Sequence, residues 1–579
     1  MSRPQPWFRF APWIVLPRTL PSLIADAPIL VAGMALFYGL IALARYWAGP
    51  VSGSAEIHLT ASALPKYAAF SVARLGTAYL ISLMVALIYA YSAAHSRRAE
   101  LVLIPLLDTL QSIPVLSFLP PVMVAMVSLF PTRQLGIELG SIVLIVTGQV
   151  WNMAFSVYSS LKNIPRELAE AAAIYRLNWW QKFTQLELPY SAIGLVWNSM
   201  MSVAGGWFFL MACEMFTLGN RDLRLPGLGS FLQTAANAGN TRAILEGVGV
   251  MIGVIVLMDQ LIWRPIIAWS EKFKFEQVEA ASTPRSPILD LLRHSQFLAR
   301  VSAMTVAPLR EAVMLHFARQ HHAERAPQSA VRSVLGWVAG SAAVAGLLYA
   351  TFRMAMMLAE LKMPEARQIG IGAGTTFLRV EFTLALAALW TVPVGVFIGL
   401  RPRVSALAQP IAQVAASVPA TALFPIVLLM LIQVGGGLGI GSIILLLLGT
   451  QWYILFNVIA GASAIPTDLR EVCDVFHVHR GERWRKLLLP AIFPYLVTGL
   501  VTASGGAWNA SIVAEYFKFR GKTWSTVGLG AVISRATDNG NFPVLLGATV
   551  VMAALVVVVN RLVWRRLYVL ASTRYALDT

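Results

Sequence analysis

Ile164-Pro165-Arg166-Glu167-Leu168-Ala169-Glu170-Ala171-Ala172, closing at Leu188-Pro189, occurs a second time as Ile465-Pro466-Thr467-Asp468-Leu469-Arg470-Glu471-Val472-Cys473, closing at Leu489-Pro490. In both copies the Glu lies five residues after the first Pro and nineteen before the last, and the copies are 301 positions apart. Each is a polar, helical-looking hairpin set between long apolar runs. A soluble-looking helix pair held between membrane spans, and made twice, reads as a docking surface for something outside the membrane.

The flanking sequence repeats as well. Pro105, Pro114 and Pro120 match Pro410, Pro419 and Pro425 at an offset of 305. Trp151, Pro165, Glu170, Pro189, Glu214, Gly227, Gly229, Gly239, Asn240 and Trp263 match Trp452, Pro466, Glu471, Pro490, Glu515, Gly528, Gly530, Gly540, Asn541 and Trp564 at 301. An ungapped register over about 110 residues that includes Trp, Pro and Gly is a tandem duplication, not a coincidence of hydropathy.

Composition fixes the class. Of 579 residues 57% are hydrophobic and only 13% charged, against about 25% charged in a soluble domain. Apolar runs of the roughly 20 residues that cross a 30 Å hydrocarbon core recur throughout. The spacing predicts spans near 28–47, 68–91, 101–129, 140–161, 191–217 and 245–268, then 333–353, 376–400, 408–432, 438–462, 491–516 and 543–568. The domain reading follows: a tail at 1–27, a first repeat at 28–269, a linker at 270–332, a second repeat at 333–570 and a tail at 571–579. The expected fold is an all-α polytopic membrane protein of about twelve transmembrane helices in two parallel six-helix repeats. An even number of spans per unit gives both halves one orientation, related by a pseudo-twofold axis along the membrane normal, with a solute path between them. Pro114 and Pro419 are expected to kink the third span of each half.

The net charge of +17 belongs to loops, not to a nucleic-acid surface. Both tails, the 95–98 loop, both hairpins, Arg401, Arg403 and the linker, with nine Lys/Arg and four His, fall on one side, which the positive-inside rule makes cytoplasmic. Leu291, Leu292, Leu298 and Val301 stand at helical spacing in the linker, as an interfacial amphipathic helix would have them, or a solvated connector. Cys213 and Cys473 sit at different expected depths, and no metal-ligand spacing exists. His321-His322 reads as a solvated pair. Gly521-Lys522-Thr523 is not the end of a P-loop, because Tyr516 takes the place of its first Gly. No cofactor, metal or catalytic residue is expected.

Glu170-Ala171-Ala172 with Leu186, Leu188 and Pro189 resembles the EAA loop of the membrane-spanning subunits of binding-protein-dependent ABC importers. The second copy keeps the spacing and ending but carries Val472-Cys473, and Arg176 and His477 stand where the family has Gly. Trp207 and Glu214, repeated as Trp508 and Glu515 and followed by Gly-Leu-Gly at 227–229 and 528–530, resemble the nitrate/sulfonate/taurine/bicarbonate type of permease. The resemblance covers nearly the whole chain in two passes. It implies a type I ABC importer-like fold with both halves fused, in the bacterial inner membrane. It further implies two cytoplasmic ABC ATPase subunits, an extracytoplasmic solute-binding protein and a small, anionic solute. On it Glu170, Ala171, Ala172, Pro189, Glu471, Val472, Cys473 and Pro490 are the ATPase-coupling residues. Trp207, Glu214, Trp508, Asn509 and Glu515 are candidate pathway residues; for the two Glu, ion pairs with Arg221 or Arg520 are the alternative. A secondary transporter of two six-helix halves and a non-transporting scaffold stay open.

Overall fold

The computed structural model describes residues 56–131, 134–218, 221–273, 286–319, 330–433, 437–519 and 522–574, with scattered positions between 26 and 49. More than half of the expected first span (28–47), His321-His322 and most of both tails lie outside the described residues.

The first half runs α1 (Leu64–His95), α2 (Arg97–Ser112), α3 (Leu119–Leu129), α4 (Leu135–Lys162), α5 (Arg166–Ile174), α6 (Leu188–Glu214), the short strands β1 (Thr217–Leu218) and β2 (Arg221–Asp222), α7 (Leu228–Ala238) and α8 (Thr241–Met258). The linker forms α9 (Pro287–His294), α10 (Gln296–Val301) and α11 (Ala307–Arg319). The second half opens with α12 (Ala330–Ala359) and repeats the series as α13 (Met363–Gly399), α14 (Pro402–Ser417), α15 (Ala420–Gln433), α16 (Leu438–Ser463), α17 (Thr467–Val475), α18 (Leu489–Ala514), β3 (Tyr516–Phe519), β4 (Lys522–Ser525), α19 (Leu529–Asn539) and α20 (Phe542–Val559).

Among the described residues eight helices are long and apolar enough to cross a membrane. The third span of each half departs from the expected kinked helix. It is broken in two: at Ser112-Ile113-Pro114, and at Ser417-Val418-Pro419, where α14 and α15 meet at 84°. Proline disfavours the α conformation in the residue before it; Ile113 and Val418 are extended (ψ 128° and 116°) and the helix stops there. The antiparallel hairpins β1–β2 and β3–β4 were not expected; each follows the end of the fifth span, and Tyr516 pairs with Ser525.

The duplication extends to backbone irregularities. Five-residue π-turns lie at Phe183–Glu187 and Trp484–Leu488, and at Asp259–Trp263 and Asn560–Trp564, all 301 apart. Gly239 and Gly540 both adopt φ +65°, and Asn240 and Asn541 then cap α8 and α20 by accepting from the Ala243 and Val544 amides. The left-handed region is open to Gly without the Cβ penalty, which accounts for that Gly-Asn pair in both repeats.

Within each half the second, fourth and fifth spans pack together: α1 on α4 on α6, and α13 on α16 on α18. The halves meet through their broken third spans. α14 and α15 lie against α6 and α8, while the turn Val115–Phe118 lies against α18 and α2 against α20. One apolar core runs through both halves, with Trp207 and Trp508 among its most enclosed side chains. In the linker, Leu289 is buried where α9 meets the helix Arg264–Ser270. The Ser295 hydroxyl and the Phe297 amide both donate to Asp26 Oδ1 (2.5 and 3.1 Å), which ties α10 to the N-terminal segment.

Candidate coupling hairpins and transport axis

The polar hairpins project at the start of the fifth span, and their ends are closed by the same bonds. α5 stops because Leu177 N–H donates to Ala172 O and Arg176 N–H to Ala173 O, both 3.0 Å. α17 stops with Val478 N–H on Cys473 O (2.9 Å) and His477 N–H on Asp474 O (3.2 Å). This is the Schellman arrangement, whose penultimate residue is left-handed. Arg176 and His477 both stand at φ +49°. The turn is therefore kept although neither copy has the glycine. Glu170 and Glu471 are exposed, Ala172 is buried, Cys473 is half-buried, and Pro189 and Pro490 sit in the first turns of α6 and α18. At each tip two large apolar side chains face outward: Ile174 and Tyr175 at 79% and 78% exposure, Val475 and Phe476 at 74% and 75%.

The anchoring of the two hairpins differs. In the first, Glu187 is buried and binds His95 Nε2 at 2.9 Å and Lys182 Nζ at 3.2 Å. In the second, Leu488 takes the place of Glu187 and is buried in the apolar core.

At the far end of the fifth span, Glu214 is fully buried. Its Oε1 accepts from Ser71 Oγ (2.7 Å) and Arg74 Nη1 (2.5 Å), and its Oε2 accepts from Gly229 N–H (2.7 Å). The Leu228 amide donates to Ser71 Oγ at 2.9 Å. The first amides of α7, which have no partner within the helix, are thus satisfied by side chains from α1 and α6. A Cβ on Gly227 would overlap the Glu214 carboxyl group. The second repeat rebuilds the unit: Glu515 accepts from Thr376 Oγ1 (2.8 Å), from Gly530 N–H (2.8 Å) and from Arg379, and Leu529 N–H donates to Thr376 (2.7 Å). Glu and Gly-Leu-Gly are therefore one structural element. Its arginines come from the second span rather than from Arg221 or Arg520. The sequence signal was present: Arg74 and Arg379 are lone cations in apolar runs, 305 positions apart, the offset already set by the prolines.

The two units differ in one respect. Arg74 also makes a two-point contact with buried Glu138, Nε to Oε2 at 2.6 Å and Nη2 to Oε1 at 2.8 Å. Arg379 instead donates to Val527 O (3.0 Å) and Thr526 Oγ1 (3.3 Å), and Gly439 to Ile443, the span matching Glu138, contains no acid.

Two cavities lie between the halves. One of about 500 Å³ sits at the end opposite the hairpins, between α7 and α19, floored by Leu116, Leu119 and Pro120. One of about 130 Å³ lies deeper, between α6 and the bend at Pro419. Asn509 lines the deeper cavity beside Trp452 and Tyr453, and Trp207 borders a small crevice facing Gln413. Trp508 is enclosed in the core, and neither Glu214 nor Glu515 is on a wall of either cavity.

The family described as binding-protein-dependent transport system inner membrane component matches residues 78–262 and, again, 391–574. The chain belongs to this family. Each match begins within the second span and ends near the close of the sixth, so this transport component is a fused duplication of one permease unit, a multi-pass protein of the inner membrane. Its relatives align with about a third of it. The bicarbonate transport system permease protein of Synechococcus elongatus is 28% identical over 195 residues, 34% of this chain and 67% of the relative. The nitrate import permease protein of Leptolyngbya laminosa is 29% identical over 185 residues, 32% and 63%. The taurine transport system permease protein of Escherichia coli is 28% identical over 180 residues, 31% and 60%.

Proposed function

We propose that this chain is the complete membrane path of an ATP-driven importer for a small anionic solute, opened and closed by two separate ATPase subunits docked on α5 and α17. The observation that carries the reading is the pair of matched hairpin tips. An apolar pair exposed at 74–79% at the same place in both repeats suits a partner that covers it, since burying such surface is worth about 25 cal/mol per Å². Glu170 and Glu471 stand beside the tips for pairing with cations of the motor. The left-handed turn holds each tip rigidly to the helix, so a push on it reaches α6 and α18. Ala171, Ala172, Val472 and Cys473 shape the contact, and Pro189 and Pro490 start the spans that receive the movement.

In this reading the hairpins, both tails and the linker are cytoplasmic, and a solute-binding protein delivers cargo at the opposite face. Domain limits are those of the repeats, 28–269 and 333–570. The solutes named for the relatives, bicarbonate, nitrate and taurine, are all small and carry an oxyanion group, which supports a small anionic cargo.

The test is purification of the tagged chain from its native membrane in mild detergent, alone and with Glu170→Arg and Glu471→Arg together. The expected result is an ATPase at about two copies per chain, lost in the double variant. Absence of any ATPase after crosslinking through Ala172→Cys overturns the reading.

A further inference from the structure

The cavity of about 500 Å³ lies on the pseudo-twofold axis, and its wall is built in pairs. Met215 and Tyr516, Thr217 and Lys518, and Asn237 and Asp538 all line it, each pair 301 positions apart. The positions are duplicated but the chemistry is not. The first repeat contributes a thioether, a hydroxyl and an amide; the second contributes a phenol, an ammonium and a carboxylate. Arg224 adds a cation from the first repeat and hydrogen-bonds Thr234 Oγ1 at 3.1 Å.

The second-repeat groups form a connected set. Asp538 Oδ2 accepts from Lys518 Nζ at 2.8 Å and from Tyr516 Oη at 2.5 Å. The Tyr516 hydroxyl keeps its proton as the donor in that bond, since the Asp538 carboxylate can only accept. Lys518 is placed by its backbone too: β3 pairs it with Thr523, and its carbonyl accepts from Gln233 Nε2 of the other half at 3.1 Å. The wall's charged side chains are Arg224, Lys518 and Asp538, two cations and one anion. The wall is therefore net positive; a cleft with a net charge between low-dielectric walls concentrates ions of the other sign, and the volume is within the range of small-ligand sites.

We infer that this axial cavity is the entry site for a small anion, whose anchoring cation is Lys518 of the second repeat, held by Asp538 and Tyr516, with Arg224 of the first repeat making the wall net positive. The inference rests on the importer reading for its physiological meaning. Two identical repeats would place two Lys518–Asp538 pairs face to face across the axis. Fusion lets one side diverge, giving a lopsided site in which the first repeat sets neutral Thr217 and Asn237 at the places of Lys518 and Asp538 and supplies its cation from Arg224 instead. The anion takes the face of the Lys518 ammonium turned from Asp538. Asp538 keeps that cation from binding so strongly that the solute does not leave, since transport requires release as well as capture.

The test reads the cavity's field in the purified full chain, without the motor. Ser534 lies on the same wall and hydrogen-bonds the Ile512 carbonyl. Ser534→Cys is made on a Cys473→Ala background, Cys213 being buried. It is labelled in nanodiscs with a sulfonate-bearing and a quaternary-ammonium methanethiosulfonate, each rate normalised to a free thiol. The expected result is a preference of about tenfold or more for the sulfonate reagent, slowed by millimolar nitrate. Lys518→Gln abolishes both the preference and the nitrate protection, Lys518→Arg retains them, and Lys522→Gln, at an exposed cation of the same hairpin that is not on the cavity wall, leaves them unchanged. Equal rates for the two reagents, or equal effects of Lys518→Gln and Lys522→Gln, overturn the inference. A copurifying ATPase together with equal rates would remove the entry site and leave the importer standing. A charge preference without any ATPase would do the reverse.

Discussion

Arg74 and Glu214 are joined at 2.5 Å across 140 residues of chain, both buried, and Arg379 and Glu515 rebuild the same pair in the second repeat. The pair ties the second span to the end of the fifth and to the start of the helix that follows. Removing one member of a buried pair leaves an uncompensated charge, at a cost of about 3–5 kcal/mol. The two halves should nonetheless respond unequally. Glu214→Leu leaves Arg74 with Glu138, whereas Glu515→Leu leaves Arg379 with carbonyl and hydroxyl partners only. Thermal unfolding of the purified chain is expected to show the larger loss for Glu515→Leu. Equal losses would mean that Glu138 does not compensate Arg74.

Gly227 and Gly528 are extended, with φ of 178° and 172°, so the requirement for glycine there is space, not backbone strain. A Cβ at either would meet the carboxyl group of Glu214 or Glu515. Gly227→Ala and Gly528→Ala are each expected to cost about 1–3 kcal/mol by overpacking. Gly249→Ala is the control: it lies in α8 with nothing within 4 Å of its Cβ position, and alanine there gains up to about 1 kcal/mol of helix propensity. A melting-temperature series on the three variants checks the order.

The repeat, the spans and the hairpins were legible because they rest on local patterns: apolar runs, proline and glycine positions, and a fixed offset. The arginine partners of Glu214 and Glu515 are not legible in that way, although both stand as lone cations in the second spans. A contact across 140 residues leaves no periodic trace, whereas Arg221 and Arg520 stand near the two Glu in sequence without being their partners. The break at Pro419 was underestimated for a related reason: the sequence marks where a helix loses its hydrogen bond but not how far it turns afterwards. The axial cavity was invisible, because no single stretch contains it. Its wall appears only when Thr217 and Lys518 are brought face to face.

Arg176 and His477 occupy the left-handed region at φ +49°, where a residue with a Cβ is disfavoured by about 1–2 kcal/mol. Glycine relieves that cost but loosens the unfolded chain by about 0.4–1 kcal/mol. Arg176→Gly and His477→Gly should therefore be neutral or slightly stabilising. Arg176→Val and His477→Val should be clearly destabilising, because a β-branched side chain is the worst fit for positive φ. Denaturation of the purified chain gives the order Gly, native residue, Val from most to least stable. If valine is tolerated at both positions, the Schellman turn does not hold the hairpin tip.

The anchoring of the first hairpin predicts a specific rescue. His95 Nδ1 faces the Tyr91 carbonyl at 3.0 Å and Nε2 faces Glu187 at 2.9 Å. Both partners are acceptors, so the imidazole needs two N–H groups and carries a positive charge. Glu187→Leu removes the carboxylate that joins His95 to Lys182 and leaves both without their shared partner, with an expected loss of about 1–3 kcal/mol. At the corresponding places the second repeat has Leu400 and Leu488, both in or against the apolar core. The double variant His95→Leu, Glu187→Leu imports that solution and should recover most of the stability lost by Glu187→Leu alone. A double-variant loss equal to the sum of the single losses, measured by thermal unfolding, would show that the two residues act independently and that the clasp between the second span and the hairpin is not what secures α5.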